Sequence, residues 1–201
     1  MIKNVIFDFG QVMVRFDPDY MVAQYVSDPA DRVQIAEVLF DRLYWDALDR
    51  GTITDEEVIS ASCARLPERL RGFVKPIYDN WIYNIPEIEG MRELVREIRK
   101  HGARVFLLSN ISTYFAAHAN EIPTLSEFEA CVFSAVCGRV KPHADIFQYL
   151  CEQNGLIPEE CIFVDDNASN IAGAEAFGIR GYLFDGNVAR LRNTLKELFR
   201  F

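Results

Sequence analysis

The sequence predicts an α/β protein with a Rossmann-like parallel sheet and a helical domain inserted after the first strand. Short apolar runs, typical of strands buried on both faces, alternate with helical patterns from residue 90 onward, and this alternation predicts the sheet. Residues 17–84 have helical spacing and no clear strand pattern, which predicts the insert. We therefore expect an α/β core of residues 1–16 and 85–201 and a helical insert of residues 17–84.

The composition limits the classes of partner. The chain has 201 residues, half of them hydrophobic, which is enough for one sizeable core with a small subsidiary domain. The formal net charge of −9 disfavours nucleic acid, whose binding relies on Lys and Arg, and it disfavours anionic membranes. An anionic substrate would therefore need a local positive centre, such as a metal ion or a placed lysine.

The cysteines and the N-terminal region indicate a reducing compartment. The five cysteines are odd in number and lack C-x-x-C spacing, so we interpret them as small buried hydrophobic residues. No apolar run approaches the length of a membrane span, and the chain enters a strand without a signal peptide. We expect a cytoplasmic protein.

The first buried strand ends at a carboxylate. Residues 5–7 are its apolar run, Asp8 follows directly, and Gly10 comes two positions later. Ligands of open α/β sheets bind outside the carboxyl ends of the strands, so Asp8 stands where a reactive group would stand. Taken alone, Asp8 is equally consistent with a residue that only closes the strand. Residues 10–16 predict a hairpin-like excursion from the strand end.

The insert has helix-start signals. At residues 17–18, an aspartate precedes a proline, which is a typical helix N-terminus. Apolar spacing predicts a helix over 30–46, residues 54–57 form a capping-box pattern, and another helix is expected over 68–83. The tryptophans Trp45 and Trp81 could line a pocket, but in a helical bundle we interpret them as core residues.

Helix and strand alternate in the rest of the chain. The remaining strands are predicted over residues 104–108, 131–136, 161–164 and 181–184. Helices are predicted from residue 91 to the stop at Gly102 and over residues 113–121, 144–154, 168–177 and 188–199. Parallel strands connected in this way bring their carboxyl ends to one edge of the sheet.

Side chains that can do chemistry follow these strands. They are Asp8, Ser109, Asn110, Asp165 and Asp166, with Lys141 in a loop that opens on the same edge. Carboxylates gathered at one point repel each other unless a cation joins them, and hard oxygen ligands suit Mg²⁺. A lysine and a hydroxyl beside Mg²⁺ suit a phosphoryl group. A carboxylate can attack phosphorus and form an aspartyl-phosphate.

In order and spacing, these residues resemble the motifs of the haloacid dehalogenase-like (HAD) hydrolase superfamily. The motifs are Asp8-Phe9-Gly10, Ser109-Asn110, Lys141-Pro142 and Asp165-Asp166-Asn167 with Asn170. The insert falls where subfamily I members carry a helical cap domain, and the resemblance covers essentially the whole chain. Trp45 and residues 49–54 also resemble the branch of bacterial sugar-phosphate phosphatases that includes an α-glucose-1-phosphatase.

The resemblance implies a role for each motif residue. Asp8 would attack phosphorus and bind Mg²⁺, and Gly10 would give its backbone carbonyl to the metal. The Ser109 hydroxyl and the backbone N–H of Asn110 would bind phosphoryl oxygens. Lys141 would neutralise charge on the phosphate and on Asp8.

The fourth motif would complete the metal site. Asp166 would bind the metal directly, and Asp165 would orient the site or bind through water. Asn170 stands where many relatives carry an aspartate, so we expect it to support the ligands rather than to bind metal. The chain departs from many phosphatases of the superfamily at Gly10, where they have an aspartate that protonates the leaving oxygen. A general acid–base is typically worth about 10²–10⁴ in rate.

We therefore expect a Mg²⁺-dependent phosphomonoester hydrolase acting on a small phosphometabolite, with a sugar phosphate favoured. Gly10 leaves two explanations open: substrates with better leaving groups, such as anomeric phosphates, or proton transfer by water. One alternative function is a phospho-ligand-binding module with weak turnover. Another is a 2-haloacid dehalogenase, which uses an aspartate nucleophile without metal and which the Asp165-Asp166 pair disfavours. The oligomeric state is open.

Overall fold

The computed structural model describes residues 1–41 and 43–200. In these ranges the chain forms one five-stranded parallel sheet with the strand order β3-β2-β1-β4-β5. The strands are β1 (Asn4–Phe7), β2 (Arg104–Ser109), β3 (Ala130–Phe133), β4 (Cys161–Asp165) and β5 (Arg180–Leu183). The predicted fold class, a parallel α/β sheet flanked by helices, is confirmed.

The central strands are apolar throughout because both of their faces are covered. In β1, Val5 and Phe7 belong to one buried hydrophobic cluster, and Ile6 between them belongs to the other. Successive side chains of a strand point to opposite faces, so both faces of the sheet have a packed core. This packing explains the continuous apolar runs of the sequence.

The strand register brings the chemical groups to one edge. Phe7 at the end of β1 lies opposite Leu107 of β2 on one side and Val164 of β4 on the other. Asp8 leaves the sheet at this point, and its N–H donates to the Val164 carbonyl at 2.9 Å. The residues that follow β1, β2 and β4 therefore emerge beside one another.

The insert is helical in its described part. Its helices are α1 (Pro18–Ala23), α2 (Pro29–Leu39), α3 (Trp45–Asp49), α4 (Asp55–Arg65) and α5 (Glu68–Asn80), followed by a short 3₁₀ helix (Trp81–Tyr83). Two predicted helix starts are confirmed. Asp17 accepts from the Tyr20 N–H at 3.1 Å, and the capping box of Thr54 and Glu57 is present in both directions. The insert's buried residues join the cluster on one face of the sheet, and the exact domain limits stay a prediction.

The remaining helices connect and cover the strands. They are α6 (Met91–Lys100), α7 (Thr113–Ala117), α8 (Ser134–Cys137), α9 (Ala144–Asn154), α10 (Ala168–Phe177) and α11 (Val188–Phe199). The excursion after β1 pairs with the segment that returns from the insert, where the Arg15 N–H donates to the Pro86 carbonyl at 2.8 Å. Of the helices in the described ranges, none is both long enough and apolar enough to cross a bilayer.

The third predicted strand, over 131–136, was wrong in its second half. Strand β3 ends at Phe133, and α8 begins at Ser134. The Ser134 Oγ accepts from the Ile111 N–H at 2.9 Å, and the Ala135 N–H donates to the Ile111 carbonyl at 3.3 Å. These bonds replace a strand ladder with a turn, and local side-chain bonding of this kind is a known competitor of regular structure.

Two predicted helices were too long. The helix predicted over 30–46 ends at Leu39, and α3 starts at Trp45, while residue 42 lies outside the described residues. The helix predicted over 113–121 ends at Ala117 and is followed by a separate 3₁₀ helix (Ala119–Glu121). Apolar spacing alone does not mark such interruptions, because the residues after each break keep the same periodicity.

Candidate active site

A cavity of about 500 Å³ opens where the carboxyl edge of the sheet faces the insert. Its core side is lined by Asp8, Gly10, Ser109, Asn110, Lys141 and Asp166. Its insert side is lined by Phe16, which ends the excursion after β1, and by the insert residues Phe40, Trp45, Asp46, Asp49, Arg50 and Trp81. The structure thus brings the predicted site residues to one place, and Asp165 lies directly behind Lys141. We refer to the two groups as the core side and the insert side.

A buried ammonium lies between two carboxylates on the core side. The Lys141 Nζ is 2.8 Å from Asp8 Oδ1 and 2.8 Å from Asp165 Oδ2. The Lys141 side chain is 1% exposed and that of Asp165 is fully buried, so neither charge is tolerable without the other. Burial works to lower the pKa of Lys141, but the charges of Asp8 and Asp165 raise it above its usual value.

Asp8 is held at the end of β1 by its own backbone turn and by Lys141. Its Oδ1 accepts from the Phe9 N–H at 2.7 Å as well as from Lys141. Burial raises the pKa of Asp8 to about 6, with the charge of Asp165 adding to the rise and that of Lys141 opposing it. One ammonium therefore does not fully compensate the carboxylates of this cluster, and further positive charge would favour an ionised Asp8.

The two carboxylates after β4 have different surroundings. Asp165 accepts hydrogen bonds at both oxygens, from the Asn167 N–H at 2.8 Å and from the Asn170 Nδ2 at 3.1 and 3.0 Å, in addition to Lys141. Asp166 is exposed and lines the cavity. The protein around its carboxyl group displaces part of the solvent, and this desolvation, together with the charge of Asp165, raises the pKa of Asp166. Asp165 thus orients its neighbours, and Asp166 presents its carboxylate to the cavity.

The carboxylates of this cluster fit a divalent cation. Asp8, Asp165 and Asp166 each offer one oxygen, and these three oxygens lie within 4.8 Å of one another. Hard oxygen donors at this spacing, with a single ammonium to balance them, suit Mg²⁺. The donor chemistry of the site therefore matches the metal that the sequence predicted.

Asn110 has a structural contact that the sequence did not indicate. Its Nδ2 donates to the Lys141 carbonyl at 3.1 Å, and its Oδ1 accepts from the Lys141 N–H at 2.9 Å. The side chain after β2 therefore holds the lysine loop in place, in addition to any role of its backbone N–H. A contact between residues so far apart in sequence gives no local signal from which it could be predicted.

The lysine loop is held from its other side by α10. A Cβ added at Gly173 would lie 2.2 Å from the Pro142 carbonyl oxygen, so only a glycine lets the helix approach the loop this closely. The same helix begins next to Asp165 and Asp166. The position of Lys141 thus depends on Asn110, on Asp165 and on the packing of α10.

The insert side carries four aromatic rings that line the cavity, namely Phe16, Phe40, Trp45 and Trp81, and we call this group the aromatic wall. The Phe16 ring centroid lies 5.7 Å from that of Phe40, 5.1 Å from that of Trp45 and 6.0 Å from that of Trp81. The interpretation of the two tryptophans as core was incomplete. They pack against neighbours and also line the cavity, and helical spacing cannot show which way a helix faces.

The insert reaches the core next to the cavity. Gly51 has a φ of +67°, and a Cβ at this position would lie 2.8 Å from the Ala135 carbonyl oxygen of α8. The end of α3 is thereby docked on the helix that follows β3. This contact places Asp49 and Arg50, which directly precede Gly51, on the insert side of the cavity.

Comparisons with known proteins show what this chain is similar to. A family model described as haloacid dehalogenase-like hydrolase matches residues 2–178. The chain is 27% identical over 199 residues to the D-ribitol-5-phosphate phosphatase of Bacteroides thetaiotaomicron, and the match covers 90% of this chain and 91% of that protein.

Two solved structures share the fold. A HAD family enzyme from Bacteroides thetaiotaomicron, in complex with magnesium and inorganic phosphate, is 20% identical with a TM-score of 0.72, covering 95% of this chain and 99% of that chain. The L-2-haloacid dehalogenase from Xanthobacter autotrophicus is 20% identical with a TM-score of 0.67, covering 98% and 88%. The family model spans most of the sequence, and this chain therefore belongs to the haloacid dehalogenase-like hydrolase family.

Proposed function

We propose that this protein is a Mg²⁺-dependent phosphomonoester hydrolase acting on a small phosphorylated metabolite, with a sugar phosphate as the favoured substrate. The observation that carries the proposal is the buried Asp8–Lys141–Asp165 network, with Asp166 opening onto the same cavity. The similarity to a D-ribitol-5-phosphate phosphatase and to a family structure with magnesium and phosphate supports it. A cytoplasmic location stays a prediction.

Asp8 is the proposed nucleophile. In the described chain its Oδ1 accepts hydrogen bonds from the Phe9 N–H and Lys141, which leaves Oδ2 as the oxygen that attacks phosphorus. A bond forms between Oδ2 and phosphorus while the bond from phosphorus to the substrate oxygen breaks, and that oxygen leaves as an alcohol after taking a proton from water. Water then hydrolyses the aspartyl-phosphate, releasing phosphate and restoring Asp8.

The other core-side residues bind the phosphoryl group and the metal. Ser109 lines the cavity with only 3% of its surface exposed, and its hydroxyl, the Asn110 N–H and Lys141 would donate to phosphoryl oxygens. Asp8, Asp166 and the Gly10 carbonyl would hold Mg²⁺, with Asp165 behind them. When bound, the metal supplies positive charge to the phosphoryl oxygens.

The proton for the leaving oxygen has no donor at position 10. Gly10 lines the cavity, and among the described residues, its two chain neighbours apart, none has an atom within 4 Å of where its Cβ would be. The space next to Asp8 therefore admits water or part of the substrate. This opening favours leaving groups that need little protonation or proton transfer through water. The insert would act as a cap that excludes bulk water and selects the substrate.

A screen of about a hundred phosphometabolites tests the proposal, with Mg²⁺ present and each hit repeated with the Asp8→Asn variant and with EDTA. We expect hydrolysis that both changes abolish. Asp17→Asn is the matched control, because Asp17 accepts a hydrogen bond at the start of α1 and pairs with Arg15 but does not line the cavity. Full phosphatase activity in Asp8→Asn would rule out the mechanism.

The alternative functions give different results in the same assays. Halide displacement needs no metal, so chloride release from 2-chloropropionate in EDTA would favour a dehalogenase. The convergence of three carboxylates, which a metal-free site does not need, argues against it. A phospho-ligand-binding module would bind members of the panel without turning them over.

A further inference from the structure

The aromatic wall lies apart from the groups that we propose to bind phosphate. Its rings lie on the excursion after β1 and on the insert, away from the strand ends that carry Asp8 and Asp166. The cavity of about 500 Å³ is in the range of sites that enclose a whole small molecule, and a phosphoryl group fills only part of it. The remaining space must take the leaving group.

Within the aromatic wall, Trp45 and Phe16 are the partly buried rings, and the indole of Trp45 has the larger face. Trp81 is 5% exposed and Phe40 is 9% exposed, so both are largely used by packing inside the protein. Trp45 is only partly buried and lines the cavity. Of the two tryptophans in the chain, Trp45 is therefore the one whose ring a ligand can cover.

The neighbours of Trp45 fix its orientation. Phe16 meets it edge-to-face, with centroids 5.1 Å apart and planes at 79°, and Trp81 lies 6.3 Å away. Edge-to-face packing of this kind is the preferred arrangement of aromatic pairs. An indole held in one orientation is a rigid platform, and it loses little conformational freedom when a ligand covers it.

We propose that Trp45 is a specificity-determining residue, and that it selects leaving groups with a ring whose flat or C–H face lies on the indole. This inference rests on the proposed phosphatase function and adds the substrate class to it. A sugar ring or a heteroaromatic ring has such a face, whereas a short acyclic alcohol does not. Esters of ring-bearing alcohols are then preferred over short acyclic esters of equal charge.

Kinetics on matched substrates test the proposal. We would compare glucose 1-phosphate and glucose 6-phosphate with glycerol 3-phosphate and with acetyl phosphate, which carries neither a ring nor a demanding leaving group. In the wild-type protein, at least one glucose phosphate should have a higher kcat/KM than glycerol 3-phosphate. Trp45→Ala should raise its KM about three- to tenfold with little change in kcat, and acetyl phosphate should be unaffected.

Two further variants distinguish the effect of ring stacking from the effect of side-chain bulk and from a folding defect. Trp45→Phe keeps an aromatic face and should retain most of the preference, whereas Trp45→Leu keeps apolar bulk and should lose it. If Trp45→Ala does not fold, the comparison of Phe with Leu decides. An unchanged substrate ratio in Trp45→Leu, or a wild-type protein that prefers glycerol 3-phosphate, would overturn the inference.

Fluorescence gives a readout that does not depend on turnover. In the Asp8→Asn background, titration of glucose 6-phosphate and glucose 1-phosphate should change the emission of Trp81→Phe, which retains Trp45. The Trp45→Phe counterpart should respond much less, and the reverse result would overturn the inference. Failure of the proposed function is distinct, since it would appear as acetyl phosphate hydrolysis that survives Asp8→Asn.

Discussion

The two sides of the cavity are built on different principles. On the core side, the strand register determines where Asp8 and Asp165 stand, and buried hydrogen bonds fix their orientation. On the insert side, the rings of Trp45 and Trp81 pack against each other, and the contact of Gly51 with α8 joins the end of α3 to the core. We infer that changes on the core side affect the reaction, whereas changes on the insert side affect which substrate reacts.

The largest expected effect is seen when an Asp→Asn substitution on the core side of the cavity is compared with one on the insert side. Asp8→Asn removes the nucleophile and should lower kcat by about 10⁴-fold or more. Asp46→Asn removes a carboxylate from the insert side and should leave kcat within about threefold while changing KM. Steady-state kinetics on the best substrate measure both. A similar loss of kcat in the two variants would contradict the division between the sides.

The next effect compares the two neighbouring carboxylates of the core side. Asp165→Ala leaves Asn170 without its acceptor and the buried Lys141 with Asp8 as its one remaining carboxylate, so the free energy of unfolding should fall by about 3–5 kcal/mol. Asp166→Ala removes an exposed carboxylate and should leave stability nearly unchanged while weakening Mg²⁺ binding. Urea unfolding and Mg²⁺ titration distinguish the two. If the two substitutions lowered the free energy of unfolding equally, both carboxylates would stabilise the fold.

Asp8 predicts a pH-dependent stability in the metal-free protein. Its folded pKa of about 6 lies above the ordinary value of 3.8. The stabilising contribution of the protonated form is therefore complete below pH 4 and is lost as the pH rises through about 6. At pH 8 Asp8→Asn, which mimics the neutral carboxyl, should be more stable than the wild type by about 1–3 kcal/mol.

Magnesium should make the wild type more stable than Asp8→Asn. A ligand that binds only the folded state stabilises it, and the wild-type carboxylate should bind Mg²⁺ more tightly than the amide does. Thermal unfolding of both proteins at pH 5 and pH 8, with EDTA and with Mg²⁺, checks the prediction. If the wild type were more stable than Asp8→Asn in EDTA at pH 8, the surroundings of Asp8 would not disfavour its ionised form.

The smallest expected effect concerns the contact between insert and core. Gly51→Ala adds a methyl group against the Ala135 carbonyl at a positive φ, and it should cost about 1–2 kcal/mol and raise KM. Gly102→Ala is the matched control, because Gly102 has a φ of +86° and, apart from its chain neighbours, no residue in the described part of the chain comes within 4 Å of its added Cβ. If both variants had unchanged KM, the contact would have no part in substrate binding.

The sequence predicted the core side better than the insert side. Apolar runs that stop at Asp8 or at Asp165 mark strand ends, and parallel strands necessarily share an edge, so local patterns were enough. The direction in which the Trp45 side chain points depends on how separate helices pack. The way in which the Asn110 side chain holds the lysine loop depends on a contact between segments that are far apart in sequence. Neither leaves a periodic signal in the chain. The turn at Ser134 was missed because its hydrogen bonds are equally nonlocal.

The close approach of α10 to the lysine loop has a consequence for how mutational data on this protein should be interpreted. Gly173 touches no substrate and contributes no functional group, yet any side chain there would push Pro142 and carry the adjacent Lys141 away from Asp8. A saturation scan scored by growth or turnover would therefore rank this helix-interior glycine alongside the reacting groups. A list of residues selected only for their chemically active side chains would omit Gly173.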